Sequence, residues 1–268
     1  QMPEGTAEER RPLRVDTSQD GPFGAGKSPI DRPQSWVSTP KDYSPPPLPV
    51  DIATSQKEAQ KGFLTKVYLV LSIQLAFTVA GCGVCMYIAP LRHMVLNQSW
   101  FLLVACFTSF IWIILMFWRK NHYPDNLLIL AGFTINEAWL VGTVAAIYYH
   151  EGAGELIFIA WGITLFIFVV LSLFVALSDI DFSWLGLFLL PCLLCLCIWG
   201  WVTVAFGFKL GWLYSLLGAL IFSAYIVFDS WMIMNKLGVD DWPIACIELY
   251  LDIINLFLHL LALLGRRN

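Results

Sequence analysis

Charge is scarce in this sequence: Asp, Glu, Lys and Arg make up 13% of its 268 residues, and the formal net charge is -4. Basic residues so few and so scattered leave no electrostatic footprint for nucleic acid, which is excluded as a partner. Metal-site spacing is also missing. "CGVC" (Cys82, Cys85) and "CLLCLC" (Cys192, Cys195, Cys197) lie inside apolar runs, with no second Cys/His pair at zinc-site distance. The odd total of 7 cysteines makes no closed disulfide framework. The thiols are therefore expected to pack as small buried groups. No apolar run precedes Phe63, so no cleavable leader is expected, and the first span would itself direct insertion.

What the chain has in abundance is apolar surface. Its hydrophobic content of 58%, with 15% aromatic residues, lies outside the range of soluble domains. From Phe63 onward come seven apolar segments, at about 64–89, 99–118, 127–149, 155–178, 183–206, 210–235 and 243–264, each near the roughly 20 residues that span a hydrocarbon core. The connectors are short: "RKNHYPDN", "HEGAGE", "SDIDFS", "GFKLG" and "NKLGVDDWP". Tight connectors predict an up-and-down bundle with sequential neighbours antiparallel. The fold class is thus an all-α membrane protein, a seven-transmembrane-helix bundle over 62–265 behind a disordered Pro-rich tail over 1–61. With the tail inside, Lys57, Lys61, Lys66, Arg119, Lys120 and Lys236 share the inner face against Arg92, Lys209, Arg266 and Arg267 outside.

The tail holds ten of the 14 prolines and too little apolar surface to offset the entropy of ordering. Pro46 to Pro49 fits a polyproline II ligand, so protein partners through the tail are expected. "GPFGAGKS", Gly21 to Ser28, matches the phosphate-binding loop formally. That loop needs a strand before it and a helix after it. Neither "RRPLRVDTSQD" nor "PIDRPQSW" supplies one, so nucleotide binding is not expected.

Ionisable residues inside spans are costly, about 2.5–3.5 kcal/mol each, and mark functional sites by default. Glu137 ("GFTINEAWLVG"), Asp229 ("FSAYIVFDSW") and Asp252 ("IELYLDIINLFLHLLALL") qualify. At 1.5 Å rise per residue, Asp229 and Asp252 lie about 9 and 13 Å from the same membrane face. A short loop joins their helices, so their carboxylates can meet. Two carboxylates in a low-dielectric site cannot both ionise cheaply, so they are expected to share a proton. Deprotonated, the pair offers hard oxygen ligands to Ca2+; protonated, it is a neutral clasp. Glu248, Asp252, Asn255 and His259 follow i, i+4, i+7, i+11 spacing along one helical stripe that could line a crevice. The ordinary alternatives are a packing histidine at His259 and an interfacial Glu248. Ser215, Gly218, Ala219 and Ser223 permit close helix approach. Arg119 and Lys120 end the second span on the dyad's side, where one could reach inward or snorkel to the interface.

"FSAYIVFD" followed by "ELYLDIINLFLHLLALLG" resembles the signature of the transmembrane Bax inhibitor motif family. "GFLTKVYLVLSIQLAFT", "PDNLLILAGFTINEAWLVGT" and the Pro-rich tail are similar to its lifeguard subgroup. The resemblance covers about residues 62 to 265. It implies a seven-helix protein of the endoplasmic reticulum or Golgi, and sometimes of the plasma membrane, associated with pH-sensitive Ca2+ leak and suppression of cell death. It also implies an aspartate pair at Asp229 and Asp252, a basic latch at Arg119 or Lys120, and an acidic third-span residue at Glu137. Ala262 stands where similar proteins often place an arginine, and "LSDIDFSWLG" lacks a lysine common before the Asp-Phe.

An intramembrane aspartyl protease would need Gly-x-Gly before its second aspartate, and Asp252 follows "LYL" instead. A G-protein-coupled receptor would show Asp-Arg-Tyr and Asn-Pro-x-x-Tyr motifs, which do not occur here. The expected function is therefore not enzymatic and needs no cofactor. It is passive Ca2+ conduction gated by Asp229 and Asp252, with Glu137, Arg119, Lys120, Glu248, Asn255 and His259 as supporting residues. The alternative is a non-conducting scaffold that inhibits apoptosis through protein partners.

Overall fold

A computed structural model describes residues 50–98, 100–120, 122–206 and 211–265. The polyproline stretch and the phosphate-loop match fall outside these residues. Among these described residues eight helices and one 3-10 turn follow in order: α1 (Val50–Tyr87), α2 (Ala89–Asn97), α3 (Trp100–Arg119), α4 (Asp125–His150), α5 (Gly154–Leu177), α6 (Leu185–Phe206), α7 (Trp212–Asn235), the turn Val239–Asp241 and α8 (Trp242–Gly265). All but α2 and the turn are long and apolar enough to cross a membrane, giving seven spans. The chain is an integral multi-pass membrane protein. Two details differ from the sequence reading. Helix α1 begins at Val50, twelve residues ahead of the expected boundary at 62. The first connector is itself helical: α2 opens on Pro90 at its second position, where a missing N–H costs nothing.

Neighbours in sequence are not always neighbours in space. Helix α1 packs chiefly against α4, the third span, rather than α3, while α6 packs on α7. Small residues explain the α1–α4 choice. A Cβ at Gly142 would lie 2.7 Å from Cys85 Sγ, and one at Gly81 3.2 Å from the Ala138 Cβ. Lipid tails are as apolar as leucine, so helices associate through close packing and polar ties rather than hydrophobic burial. Two such ties are buried here: Gln74 Nε2 donates to Thr134 Oγ1 at 2.9 Å, and the Thr78 and Tyr250 hydroxyls meet at 2.7 Å.

Helix α8 is the hub, contacted by α1, α3, α4, α5 and α7. Leu249, Tyr250, Ile253, Leu256, Phe257 and Leu261 are fully buried along it. Trp161 of α5 stacks on Phe257 with ring centroids 4.3 Å apart. At the other extreme α6 presents most of its surface outward, with Leu187, Leu190, Leu194, Ile198 and Trp201 exposed. Cys192, Cys195 and Cys197 share this exposure, which corrects the expectation that they pack inside; Cys82, Cys85 and Cys246 are buried as expected. A thiol is apolar enough to face lipid, so the "CLLCLC" run obeys the bilayer rather than a core. No cluster of metal-ligating side chains of three or more occurs among the described residues.

Candidate functional site

Asp229 and Asp252 are brought together. Asp229, on α7, is 8% exposed and Asp252, on α8, is 5% exposed. Their carboxyl groups lie within hydrogen-bonding reach of each other. An ionised carboxylate only accepts hydrogen bonds, so a bond between the two requires a proton on one of them. Asp252 Oδ2 is buried with no hydrogen-bond partner.

The pair lines a cavity of about 660 Å3 between α3, α4, α6, α7 and α8. Glu137 of α4 and Glu248 of α8 line it too, so four carboxyl groups share one space whose remaining walls are mostly Leu, Phe and Ile. Glu248 is close enough to both aspartates to interact with them electrostatically. It lines the cavity of the aspartates and lies within electrostatic reach of Asp241 at the membrane face as well. Asn255 also lines the cavity, with its Nδ2 donating to the Leu251 carbonyl at 2.8 Å. The local cause is the helical period. Positions 248, 252 and 255 recur on one face of α8, and the apolar faces on either side hold that face against α7 and away from lipid.

His259 continues the stripe by number but leaves the cavity. Its ring stacks near Phe222, with centroids 5.6 Å apart, and fills the space left by Gly218. Any Cβ at Gly218 would collide with the imidazole. The packing role thus belongs to His259. Nor does either basic candidate reach the dyad. Arg119 pairs with Asp125 at 2.8 Å, and Lys120 with Asp241 at 2.9 Å, both at the membrane face where α3 ends. The expected inward latch is replaced by two interfacial ion pairs, because both side chains sit at a helix end with an acidic residue nearer than Asp229.

A polar cluster on α3 and α4 escaped the sequence reading. Asn136 Nδ2 donates to Ser109 Oγ at 2.8 Å and to the Ala105 carbonyl at 3.1 Å, and Thr108 donates to Asn136 Oδ1 at 2.6 Å. Ser109 and Asn136 are also within hydrogen-bonding reach of the Glu137 carboxylate. The available signal was the adjacency of Asn136 to Glu137 and of Thr108 to Ser109 in otherwise apolar helices. Such pairs face the same neighbour when their helices cross.

The sixth and seventh spans thus bring Asp229, Glu248 and Asp252 to one cavity, and Glu137 of the third span lines it as well. Over residues 60–268 the sequence matches the family described as inhibitor of apoptosis-promoting Bax1. The chain belongs to that family. Similar members of the Bax1-inhibitor family include the Golgi anti-apoptotic protein of Vaccinia virus (strain Lister), 31% identical over 218 residues that cover 81% of this chain and 90% of the viral protein. Protein lifeguard 4 of Mus musculus is 31% identical over the same length, with the same coverage of 81% and 90%. Bax inhibitor 1 of Schizosaccharomyces pombe is 31% identical over 220 residues, covering 80% of each chain. The lifeguard resemblance read from the first and third spans agrees with these relatives.

Proposed function

We propose that this protein is a pH-sensitive Ca2+ leak channel of intracellular membranes that restrains cell death, gated by Asp229 and Asp252. The observation that carries the reading is the buried carboxyl pair on a cavity shared with Glu137 and Glu248. Carboxylate oxygens are the hard ligands Ca2+ prefers, and the dyad supplies them to the cavity wall from α7 and α8. In the closed state one proton joins the two aspartates and the clasp is neutral. Loss of that proton leaves two like charges in a low-dielectric site, which repel and part α7 from α8 while exposing a cation site. Neither Arg119 nor Lys120, the two basic candidates, compensates it, since each is paired elsewhere. The viral relative named Golgi anti-apoptotic protein supports the cell-death role and a Golgi residence.

Purified protein in liposomes loaded with a Ca2+ dye tests the reading, with Asp229→Asn and Asp252→Asn beside the unaltered chain. The unaltered protein passes Ca2+ and each variant passes several-fold less. Equal flux through all three, or none through any, would overturn the gate. The second outcome would favour a scaffold that acts through protein partners, and a survival assay on the flux-dead variants would then show undiminished protection.

A further inference from the structure

A second cavity, of about 650 Å3, opens at the membrane face where α3 ends and α4 and α8 begin, away from the aspartates. Lys66, Lys120, Asn126, Asp240, Asp241 and Trp242 line it. Its two lysines and two aspartates balance in sum, but not all of them are paired. Lys120 is paired with Asp241, and Lys66 lies 3.8 Å over the Trp242 ring, so Lys66 and Asp240 remain without an ion pair among the described residues. One cation and one anion left over suit a ligand of zero net charge that carries both signs.

Asn126 narrows the ligand further. Its Nδ2 donates to the Lys120 carbonyl at 3.1 Å, which fixes the amide orientation because a carbonyl cannot donate. The Oδ1 that remains is a buried acceptor with no partner, on a side chain only 6% exposed. It calls for an N–H or O–H donor. A quaternary ammonium has none, whereas a primary ammonium has three.

The cavity does not end at the headgroup level. Leu127 lines both it and an apolar groove of about 270 Å3 that runs between α1 and α4, walled by Val70, Ile73, Phe77, Ala131 and Ile135. Ile73, Phe77 and Ile135 are exposed toward lipid. A charged pocket at the interface, flanked by Trp242 and Tyr123 and adjoined at Leu127 by an apolar groove, has the two-part form of a phospholipid.

We infer that the α1–α4 edge holds one phospholipid with a phosphoethanolamine headgroup. The phosphate lies against Lys66, the ammonium against Asp240 and Asn126 Oδ1, and an acyl chain in the groove below Leu127. The site is separate from the carboxyl cavity and does not depend on its function.

Native mass spectrometry of the full chain, released from mixed micelles of phosphatidylethanolamine, phosphatidylcholine and phosphatidylserine, tests this. The protein retains one phosphatidylethanolamine in preference to phosphatidylcholine by about tenfold, the worth of one charge-assisted hydrogen bond. Asn126→Leu abolishes that preference while still binding lipid, and Lys66→Gln lowers retention of both. Ala131→Trp, on the exposed groove wall, lowers retention without touching the headgroup pocket, and soluble phosphoethanolamine fails to displace the lipid. Equal retention of the amine and choline lipids, preference for phosphatidylserine, or an unchanged preference in Asn126→Leu would overturn the assignment. Displacement by soluble phosphoethanolamine would overturn the groove's part in it.

Discussion

At the scale of single residues, the meaning of an intramembrane polar group depends on what stands opposite. Asp252 faces Asp229, whereas His259, two turns further along the same helix, faces Gly218 and aromatic rings. Spacing alone places both on one stripe, and only the facing helix separates a site residue from a packing residue. The packing role makes a specific demand. Gly218→Val should overpack the α7–α8 contact and destabilise the protein by about 1–3 kcal/mol, and adding His259→Ala should recover most of that loss. Thermal unfolding in detergent for the two single variants and the double measures the coupling; additive effects would show that the two residues do not share the space. Thr78 and Tyr250 make the corresponding polar case. Thr78→Val leaves the Tyr250 hydroxyl buried without its partner and should cost about 1–3 kcal/mol, whereas Thr78→Val with Tyr250→Phe should cost less than the single change.

At the scale of helices, short connectors made antiparallel alternation legible, and runs near twenty residues made the spans legible. Neither reveals which non-sequential helices touch. Partner choice sits in small residues such as Gly81, Gly142 and Cys85, whose consequence depends on the surface they meet. The dyad could be read because its two helices are joined by a tight loop and its depths match. Ser109 and Asn136 could not, because they come from a crossing of α3 and α4 whose angle no local pattern encodes. The basic latch was misplaced for a related reason: Arg119 and Lys120 have the reach, but the carboxylates of Asp125 and Asp241 lie nearer. These interfacial pairs are half-exposed or nearly so, and such pairs contribute about 0–1 kcal/mol. Lys120→Gln should therefore leave the pH dependence of Ca2+ flux unshifted and lower stability by no more than that amount. A changed pH profile in this variant would restore the latch.

At the scale of the whole molecule, the bundle is arranged around α8, with α6 held mainly by α7 and otherwise facing lipid. The carboxyl cavity lies between this weakly held helix and the hub, so a displacement of α6 would widen it while leaving the α1–α4–α8 contacts in place. On the proposed gate, proton release from the dyad would drive that movement, and the sign follows from Arg119 and Lys120 being paired away from the dyad. In that proposal the protonated clasp is neutral and closed, and the deprotonated one is a repelling pair open to Ca2+. Flux should rise with pH, and the core should remain folded throughout. The measurement that bears most directly on this is the initial rate of Ca2+ flux from proteoliposomes as pH is raised from about 6 to about 8, for the unaltered chain and for Asp252→Asn. The account predicts a rate that climbs with pH in the unaltered protein and a low, flat rate in Asp252→Asn; a flat profile in the unaltered protein, or the same climb in the variant, would contradict it.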